Sequence, residues 1–307
     1  MKNSVTRLLR KFVACSRLWN VPLALKVVIL PKLLHRPGCK HKAILAYLEK
    51  HYADVVDSYR RREAPSEPLA DDCPIWVCWF QGEESAPPIV RKCIESIRRN
   101  SGRHPVNMIT YDNYGRYVSI PRHIVDKMEN KEITLTHFSD ILRCNLLADY
   151  GGVWLDATIY LTDRLKTWNL PFFTIRQDCA DDGTYVSAYR WTSFCIGGCK
   201  GNVLASFLSD MFNEYHKREK GMIDYYLIDY VIAVGYNSVP AIKKLVDGVP
   251  CSNPDLYYMT WNMSRPVDEV RLKEVCRHTS IFKLGYRDGV PDDKNSLYHY
   301  IVNGNLN

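Results

Sequence analysis

A continuous apolar and β-prone run, PIWVCWF at 74–80, limits what this chain can fold into more than any other segment. Such a run is typical of a strand buried on both faces, as the inner strands of parallel sheets are. Helical and strand patterns alternate after it: helices at 88–99, 121–131, 134–150, 203–217 and 225–234, and strands at 106–111, 153–161 and near Phe172. This alternation predicts an α/β fold with an open, mostly parallel sheet flanked by helices.

The chain is expected to divide near residue 72. Residues 42–62 have helical spacing, and the tract EAPSEPLADD at 63–72 contains two prolines among acidic residues, as a linker does. We predict a basic helical extension with its linker over 1–72, separable from ligand binding, and a large α/β domain over 73–307. With 307 residues, 46% of them hydrophobic, the chain can bury a substantial core.

Basic residues cluster near the N-terminus. They are Arg7, Arg10, Lys11, Arg17, Lys26 and Lys32, interleaved with apolar side chains. This composition suits peripheral contact with an anionic membrane, and it suits equally a helical cap that packs on the main domain. The stretch 12–30 is interrupted by polar residues and proline, so neither a secretory signal nor a membrane span is predicted. We expect a cytoplasmic protein, on the inner face of the plasma membrane if the first interpretation holds.

The overall charge and the cysteines exclude some classes of protein. A net charge of +7 is too mild to indicate a nucleic-acid partner, and none is expected. Eleven cysteines form no repeating pattern and their number is odd, which favours a reducing compartment. Cys195 and Cys199 have the spacing nearest to a metal motif, but no second pair accompanies them, so we interpret them as core residues.

The segment 134–161, TLTHFSDILRCNLLADYGGVWLDATIYL, carries the residues best suited to chemistry. On a helical wheel over its first half, Asp140 and Arg143 lie opposite the apolar face, yet among Leu and Cys. We therefore expect this acid and base to be partly buried and held in place. A purely structural ion pair one turn apart is the alternative.

Gly151 and Gly152 are expected to end this helix, with a strand following directly. In an alternating strand, Asp156 and Thr158 lie on the face opposite to the plain core residues. An unpaired buried carboxylate is costly, so Asp156 needs a metal, a ligand hydroxyl or a basic side chain as its partner. Pairing with a local arginine, or a hydrogen bond at the strand end, is the simpler alternative.

Five short segments, in this order, carry a resemblance to a known family: IWVCWFQG, PPIVRKCIESI, MITYDN, HFSDILRCNLLADYGG and VWLDATIYL. With them the chain resembles the capsular polysaccharide synthesis glycosyltransferases, relatives of the sugar-binding-region DXD transferases. The resemblance implies a GT-A-like fold. It also implies transfer of a sugar from a nucleotide-activated donor to a glycan or lipid-linked acceptor, with retention at the anomeric carbon.

The resemblance further implies roles for particular residues. Asp140, Arg143 and Asp156 match the catalytic positions that hold the donor sugar and its diphosphate. The matching donor-binding positions are Trp79, against the base of a UDP-type donor, and Gln81, Gly82, Asp112, Asn113, Gly151, Gly152 and Thr158. Asp229 falls where it would face the acceptor. The loops at 79–82 and 112–113 leave the carboxyl ends of strands, where open α/β sheets bind ligands.

The DXD element reads DAT in this chain, because Thr158 stands in place of the second acid. Mg²⁺ and Mn²⁺ prefer several hard, anionic oxygen ligands, of which a nucleotide diphosphate supplies two. We therefore expect a divalent cation to be held mainly by the donor phosphates, with Asp156 and one ligand from 288–299. The departure also leaves open a sugar-nucleotide-binding or glycan-binding module without catalysis. A third alternative is an adaptor that binds a membrane surface or nucleic acid through its basic N-terminal cluster. That alternative gives Asp140, Arg143 and Asp156 no function.

Overall fold

A five-stranded sheet lies at the centre of the computed structural model, which describes residues 2–34, 36, 38–167, 169–287, 289–304 and 306. In spatial order its strands are β2 Val106–Ile109, β1 Ile75–Cys78, β3 Gly152–Leu155, β6 Cys195–Gly198 and β5 Phe172–Thr174. β1 pairs in parallel with β2 and β3, whereas β6 lies antiparallel between β3 and β5. All strands but β6 therefore point the same way, and the predicted open, mostly parallel sheet is confirmed.

Helices flank this sheet on both faces. The α-helices of the described chain are α1 Lys2–Leu18, α2 Val21–Ala24, α3 Leu30–Leu33, α4 Gly38–His51, α5 Ala53–Tyr59, α6 Pro88–Asn100, α7 Arg122–Glu129, α8 Leu135–Tyr150, α9 Val203–Arg218, α10 Leu227–Ser238, α11 Pro240–Asp247, α12 Tyr258–Asn262, α13 Glu269–Cys276 and α14 Leu297–Val302. Successive residues of β1 enter different buried clusters: Trp76 packs with the cluster of α8 and α9, and Ile75 and Val77 with that of α6. The strand is thus buried on both faces, as its continuous apolar run predicts.

The prediction of one strand over 153–161 is wrong. β3 ends at Leu155, and the amide of Ile159 donates to the carbonyl of Asp156, 2.9 Å away, which turns the chain out of the sheet. The next strand, β4 Ile159–Leu161, pairs antiparallel with β7 Ile281–Lys283 in a separate two-stranded sheet. Alternation of apolar residues continues through such a turn, so the pattern does not reveal it, although aspartate is itself unfavourable within strands.

Gly151 and Gly152 end α8 and begin β3 in conformations that require glycine. Their φ angles are 69° and 97°, in the region that side chains disfavour. A Cβ atom on Gly152 would lie 2.1 Å from the carbonyl oxygen of Pro74, and one on Gly151 would lie 2.5 Å from the amide nitrogen of Lys200. The indole of Trp76 also donates to the carbonyl of Gly151, 2.8 Å away. The helix end, as predicted, is fixed here, directly before the strand that leads to Asp156.

Gly152→Ala is expected to destabilise the fold by about 3 kcal/mol or more, because backbone strain adds to a clash with main-chain atoms that have no free direction to move. Gly115→Ala is the matched control, since a Cβ atom there meets nothing within 4 Å. It should change stability by less than about 0.5 kcal/mol. Urea unfolding midpoints of the two variants measure the difference. Equal midpoints would show that position 152 does not require glycine.

The helices of the N-terminal extension pack against the helices that follow the sheet. α4 contacts α10, and α5 contacts α9. The hydroxyl of Tyr59 donates to Asp210, 2.5 Å away, and Arg218 pairs with Asp54 at 2.6 Å. Tyr52 is fully buried in the same cluster as the aromatic residues of α9. The division at residue 72 stays a prediction, while the packing joins the two parts through one continuous core.

The state of the cysteines and the character of the helices can be compared with the expectations from the sequence. All eleven cysteines are free. Cys195 is fully buried, as predicted for a core residue, whereas Cys199 is only partly buried. Across the described residues, no helix combines the length and apolar character needed to cross a membrane.

Candidate functional site

An open cleft with a volume of about 690 Å³ lies at the edge of the sheet where β1 and β3 end. Its walls come from short segments at 78–81, 135–143, 154–158, 193–194, 225–229 and 283–287. Carboxyl ends of parallel strands meet at this edge, and β6, which runs the other way, brings its preceding residues to the same place. The volume is within the range of small-molecule sites.

The cleft gathers part of the predicted site. Among the described residues, seven of the predicted positions line it: Trp79, Gln81, Asp140, Arg143, Asp156, Thr158 and Asp229. The other five are Gly82, Asp112, Asn113, Gly151 and Gly152. Asp112 is exposed in a turn, and the Asn113 amide accepts from Thr110 and donates to Met108, so it stabilises the end of β2. Contacts between these five residues and the donor stay predictions. Their places outside the lining of the cleft do not support them.

Arg143 is the centre of the site. It lies one turn after Asp140 on α8, a helix capped by the Thr134 hydroxyl, which accepts from the amide of His137 at 3.1 Å. Its Nη2 atom lies 3.3 Å from an oxygen of Asp140 and 3.0 Å from Oδ1 of Asp156, and its Nη1 atom donates to the carbonyl of Ser193. Only 4% of Arg143 is exposed. The expected burial of the pair is confirmed, and Asp156 joins it.

Lys283 is a functional candidate that sequence reasoning missed. Its Nζ atom lies 2.6 Å from Oδ2 of Asp156, opposite the oxygen that Arg143 contacts. β7 carries Lys283 into register with Ile159, and the amide of Leu284 donates to the carbonyl of Thr158 at 2.9 Å. The requirement that Asp156 have a partner was a signal for some basic residue. The segment IFK at 281–283 did not identify Lys283 as that residue, because Lys283 and Asp156 lie 127 residues apart in the sequence.

Asp156 is held in its charged form by these neighbours. Burial opposes ionisation, but the charges of Lys283 and Arg143 outweigh it, and the hydrogen bond from the Trp154 indole adds to them. Together they keep the pKa of the carboxyl below its ordinary value. The local Arg partner expected as the simpler alternative is therefore present, and a lysine accompanies it.

Asp229, in the first turn of α10, has the opposite electrostatic environment. It accepts hydrogen bonds from the indole of Trp191 at 3.0 Å and from the hydroxyl of Ser193 at 3.4 Å. Burial, reinforced by the charge of Asp140, raises the pKa of Asp229 to about 7. A carboxyl that faces the cleft and titrates near neutrality is suited to exchanging a proton with a ligand.

Asp229→Asn is expected to stabilise the protein above pH 7 and to change it little near pH 4.5. A raised pKa means that the stabilisation present at low pH is lost as the pH rises from about 4 to about 7. Asparagine stays neutral and still accepts from Trp191, so the gain at pH 8 should be roughly 1 to 3 kcal/mol. Thermal unfolding from pH 4.5 to 8.5 measures it, with Asp112→Asn at an exposed turn as control. A gain independent of pH would contradict the assigned environment.

Aromatic side chains form one wall of the cleft. Trp79 and Tyr286 meet edge to face with ring centroids 5.5 Å apart, and the buried Nε1 atom of Trp79 has no partner among the described residues. Tyr225 and Tyr226 are more than half exposed along the same cleft. Exposed aromatic faces of this kind suit a planar base or the apolar face of a sugar. Tyr286 was not singled out from the sequence.

The donor set of the cleft does not fit a divalent cation held by the protein. No group of three His, Cys, Asp or Glu side chains in the described part of the chain is arranged to bind a metal. Both oxygens of Asp156 already contact cationic side chains at 3.0 Å or less, which would repel an added metal ion. Thr158 offers only a neutral hydroxyl. Asp288, at the start of the segment expected to supply a ligand, lies outside the described residues.

Comparison with known proteins gives one family match and two similar solved structures. Over residues 34–301 the chain matches the family model described as "Capsular polysaccharide synthesis protein". It is similar to the PaToxG glycosyltransferase, with 16% identity and a TM-score of 0.42, over 86% of this chain and 94% of that one. It is also similar to the apo structure of the bifunctional glycosyltransferase WbbM, with 10% identity and a TM-score of 0.43, over 78% of this chain and 51% of that one. No curated protein sequence matches.

The family match extends from α4 to α14 and includes every segment that lines the cleft. It therefore covers the N-terminal helices that share the core as well as the sheet. Since it accounts for far more than half of the residues, the chain belongs to the capsular polysaccharide synthesis protein family.

Proposed function

We propose that this protein is a glycosyltransferase that moves a sugar from a nucleotide-activated donor to a glycan or lipid-linked acceptor during capsular polysaccharide synthesis. The observation that carries the proposal is the cleft at the carboxyl ends of β1 and β3, where Arg143 is buried between Asp140 and Asp156. Membership of the family supports it. The resemblance of the motifs implies a UDP-type donor and retention of anomeric configuration, which complete the proposal.

Each group in the cleft has a chemical task in this reaction. A sugar presents many hydroxyls, and these can donate hydrogen bonds to the carboxylates of Asp140 and Asp156. Cleavage of the sugar–phosphate bond leaves negative charge on a diphosphate, for which Arg143 is a fixed cation in a water-poor setting. Trp79, Tyr286 and Asp229 also line the cleft. In this proposal the two aromatic side chains contact the base and Asp229 contacts the acceptor.

A thermal-shift panel of nucleotide sugars tests the donor site. A ligand that binds only the folded protein raises the unfolding temperature according to its concentration and affinity. We expect at least one donor to do so, and Asp140→Asn to weaken the shift for nucleotide sugars more than for the nucleoside diphosphate alone. If no donor among uridine, guanosine, adenosine and cytidine diphosphate sugars shifts the transition, the proposed site is wrong. Proton NMR of the product's anomeric centre tests retention.

A sugar-nucleotide-binding or glycan-binding module without catalysis is the second candidate. The absence of a second acid at Thr158, and the pairing of Asp156 with two cations, favour it over an enzyme that depends on a metal held by the DXD element. Such a module would bind the donor without turnover. Release of nucleoside diphosphate from a bound donor distinguishes the two.

We propose further that α1 to α3 rest on an anionic membrane surface, on the cytoplasmic side. The first 48 residues contain ten Lys or Arg and no Asp or Glu. Seven of the seventeen exposed large apolar side chains in the described chain lie between Leu9 and Leu34, and Leu33 is 70% exposed. Exposed Leu and Val beside Lys and Arg suit the boundary between lipid headgroups and acyl chains. Leu23 and Val27 are instead buried against the main body, so the cap interpretation holds for that face.

Vesicle sedimentation tests the membrane surface. We expect the full chain to bind vesicles that contain phosphatidylglycerol and not vesicles of phosphatidylcholine alone, with affinity falling as salt rises. Replacing Leu33 and Leu34 together with serine should remove most of the binding. Val270→Ser is the matched control, because Val270 is 81% exposed on α13 at the other end of the chain. Equal binding to both vesicle types would contradict the proposal.

A further inference from the structure

Two cations converge on one carboxylate within the cleft. Arg143 contacts one oxygen of Asp156 at 3.0 Å, and Lys283 contacts the other at 2.6 Å. The side chains of Asp156 and Lys283 are 29% and 22% exposed, so a ligand in the cleft can reach both of them. Arg143 is nearly buried beneath them. The ion pair of Asp156 and Lys283 therefore faces the cleft on one side and contacts the buried Arg143 on the other.

The position of Lys283 is fixed by the fold. It ends β7, which pairs with β4, and β4 begins three residues after Asp156. The Thr260 hydroxyl donates to the carbonyl of Lys283 at 2.6 Å, and the ammonium lies 4.6 Å from the centroid of the Phe194 ring. These contacts hold the residue from the backbone to the charged end. The ammonium is therefore positioned in advance, as a charge-stabilising group must be.

The charges that line the cleft have the balance required by an anionic ligand. Arg143, Lys283 and Arg287 supply three positive charges, against Asp140, Asp156 and the partly protonated Asp229. A nucleoside diphosphate adds at least two negative charges to this set. A divalent cation would instead add two positive charges beside cations that are already within hydrogen-bond distance of Asp156.

We propose that Lys283 binds the donor diphosphate, and that the charge of Arg143, nearly buried behind Asp156, helps it to neutralise the leaving group, so that no divalent cation held by the protein is required. This inference rests on the proposed glycosyltransferase function. During transfer the bond between the anomeric carbon and the β-phosphate oxygen breaks, and its electron pair stays on that oxygen beside the two cations. The acceptor oxygen forms the new bond to the anomeric carbon, and its proton departs with the nucleoside diphosphate.

Asp156 acts in this arrangement as the holder of Lys283 rather than as a metal ligand. In the free protein it pairs with the ammonium and prevents an unpaired charge at the cleft wall. When a diphosphate enters, the three donors of the ammonium can serve a phosphate oxygen and the carboxylate together. The carbonyl of Thr158 accepts from the amide of Leu284, a main-chain contact that holds the residue next to Lys283 and does not depend on the Thr158 side chain.

Calorimetric titration of UDP, GDP, ADP and CDP into the full chain tests this inference, with the matching nucleosides as phosphate-free probes. Each titration is run in EDTA and again with Mn²⁺. We expect one diphosphate to bind in EDTA, with a Kd that Mn²⁺ changes by less than about tenfold. Lys283→Met should weaken that binding by about tenfold or more and leave the nucleoside unaffected, whereas Lys283→Arg should retain most of it. Lys273→Met is the control, an exposed lysine on α13.

The outcomes separate the two proposals. Binding that requires Mn²⁺, or unchanged binding by Lys283→Met, would overturn the role of Lys283 and leave the donor site intact. Binding of none of the four diphosphates, with or without Mn²⁺, would overturn the proposed function and this inference with it. If Lys283→Met fails to fold, the comparison of EDTA with Mn²⁺ on the wild-type chain and the Lys283→Arg variant still decides.

Discussion

Arg143→Lys is expected to lower the rate of sugar transfer roughly a hundredfold to a thousandfold while the protein stays folded. The guanidinium reaches Asp140, Asp156 and the carbonyl of Ser193 at once. A lysine keeps the positive charge, but its single ammonium cannot span three partners with a planar fork. Initial rates with saturating donor, alongside a thermal unfolding curve, measure the effect.

The control for this variant is Arg122→Lys, because Arg122 pairs with Asp126 on the exposed surface of α7. Its rate should equal that of the wild type. Near-normal transfer by Arg143→Lys would instead assign Arg143 to an ion pair that serves only the fold. Arg143→Ala is less informative, since leaving Asp140 and Asp156 without their shared cation is expected to destabilise the protein by about 3 to 5 kcal/mol.

A chain that begins at Cys73 is expected not to fold cooperatively. Its loss of α4 and α5 would uncover the fully buried Phe207 and Tyr215 and would remove the partner of Asp210. Burial of each large aromatic contributes about 2 to 3 kcal/mol, so several together approach the whole stability of a domain. The family match also begins at residue 34, ahead of these helices.

Near-ultraviolet circular dichroism and urea unfolding measure this truncation. A chain that begins at Gly38 is the matched control, because it keeps α4 and α5 and loses only the helices proposed to contact the membrane. It should unfold cooperatively and should no longer bind anionic vesicles. Cooperative unfolding of the Cys73 chain, with nucleotide binding retained, would support the division at residue 72 that the Pro-rich tract predicts.

The sheet could be predicted from the sequence because its evidence is local. The apolar run of β1, the amphipathic helices and the glycines after α8 each specify their element through neighbouring residues. The separation of β3 from β4 was missed because a two-residue period passes through the turn at Asp156 without a change. The joining of α4 and α5 to α9 and α10 was missed for another reason. A tract with the composition of a linker says nothing about what the helices before it touch.

The residues of the site also fall into those that local sequence patterns predict and those that they do not. Asp140, Arg143 and Asp156 lie within 17 residues of one another, and their burial follows from the wheel and from the cost of an unpaired charge. Lys283 and Tyr286 reach the cleft only because β7 pairs with β4, and no local pattern announces a pairing across more than a hundred residues. Asp112 and Asn113 illustrate the converse. A position after a strand does not ensure a place in the cleft, because β2 lies at the outer edge of the sheet.

Release of nucleoside diphosphate from a panel of nucleotide sugars, with and without added acceptor, distinguishes a transferase from a binding module. We expect the wild-type chain to release diphosphate from at least one donor, and we expect acceptor to accelerate the release. Asp140→Asn is expected to remain folded and to lower the rate by roughly tenfold or more, with a thermal unfolding curve as the check on folding. Binding of a donor with no release under any condition would instead identify the protein as a binding module. Equal release by the wild type and Asp140→Asn would contradict the assignment of the site.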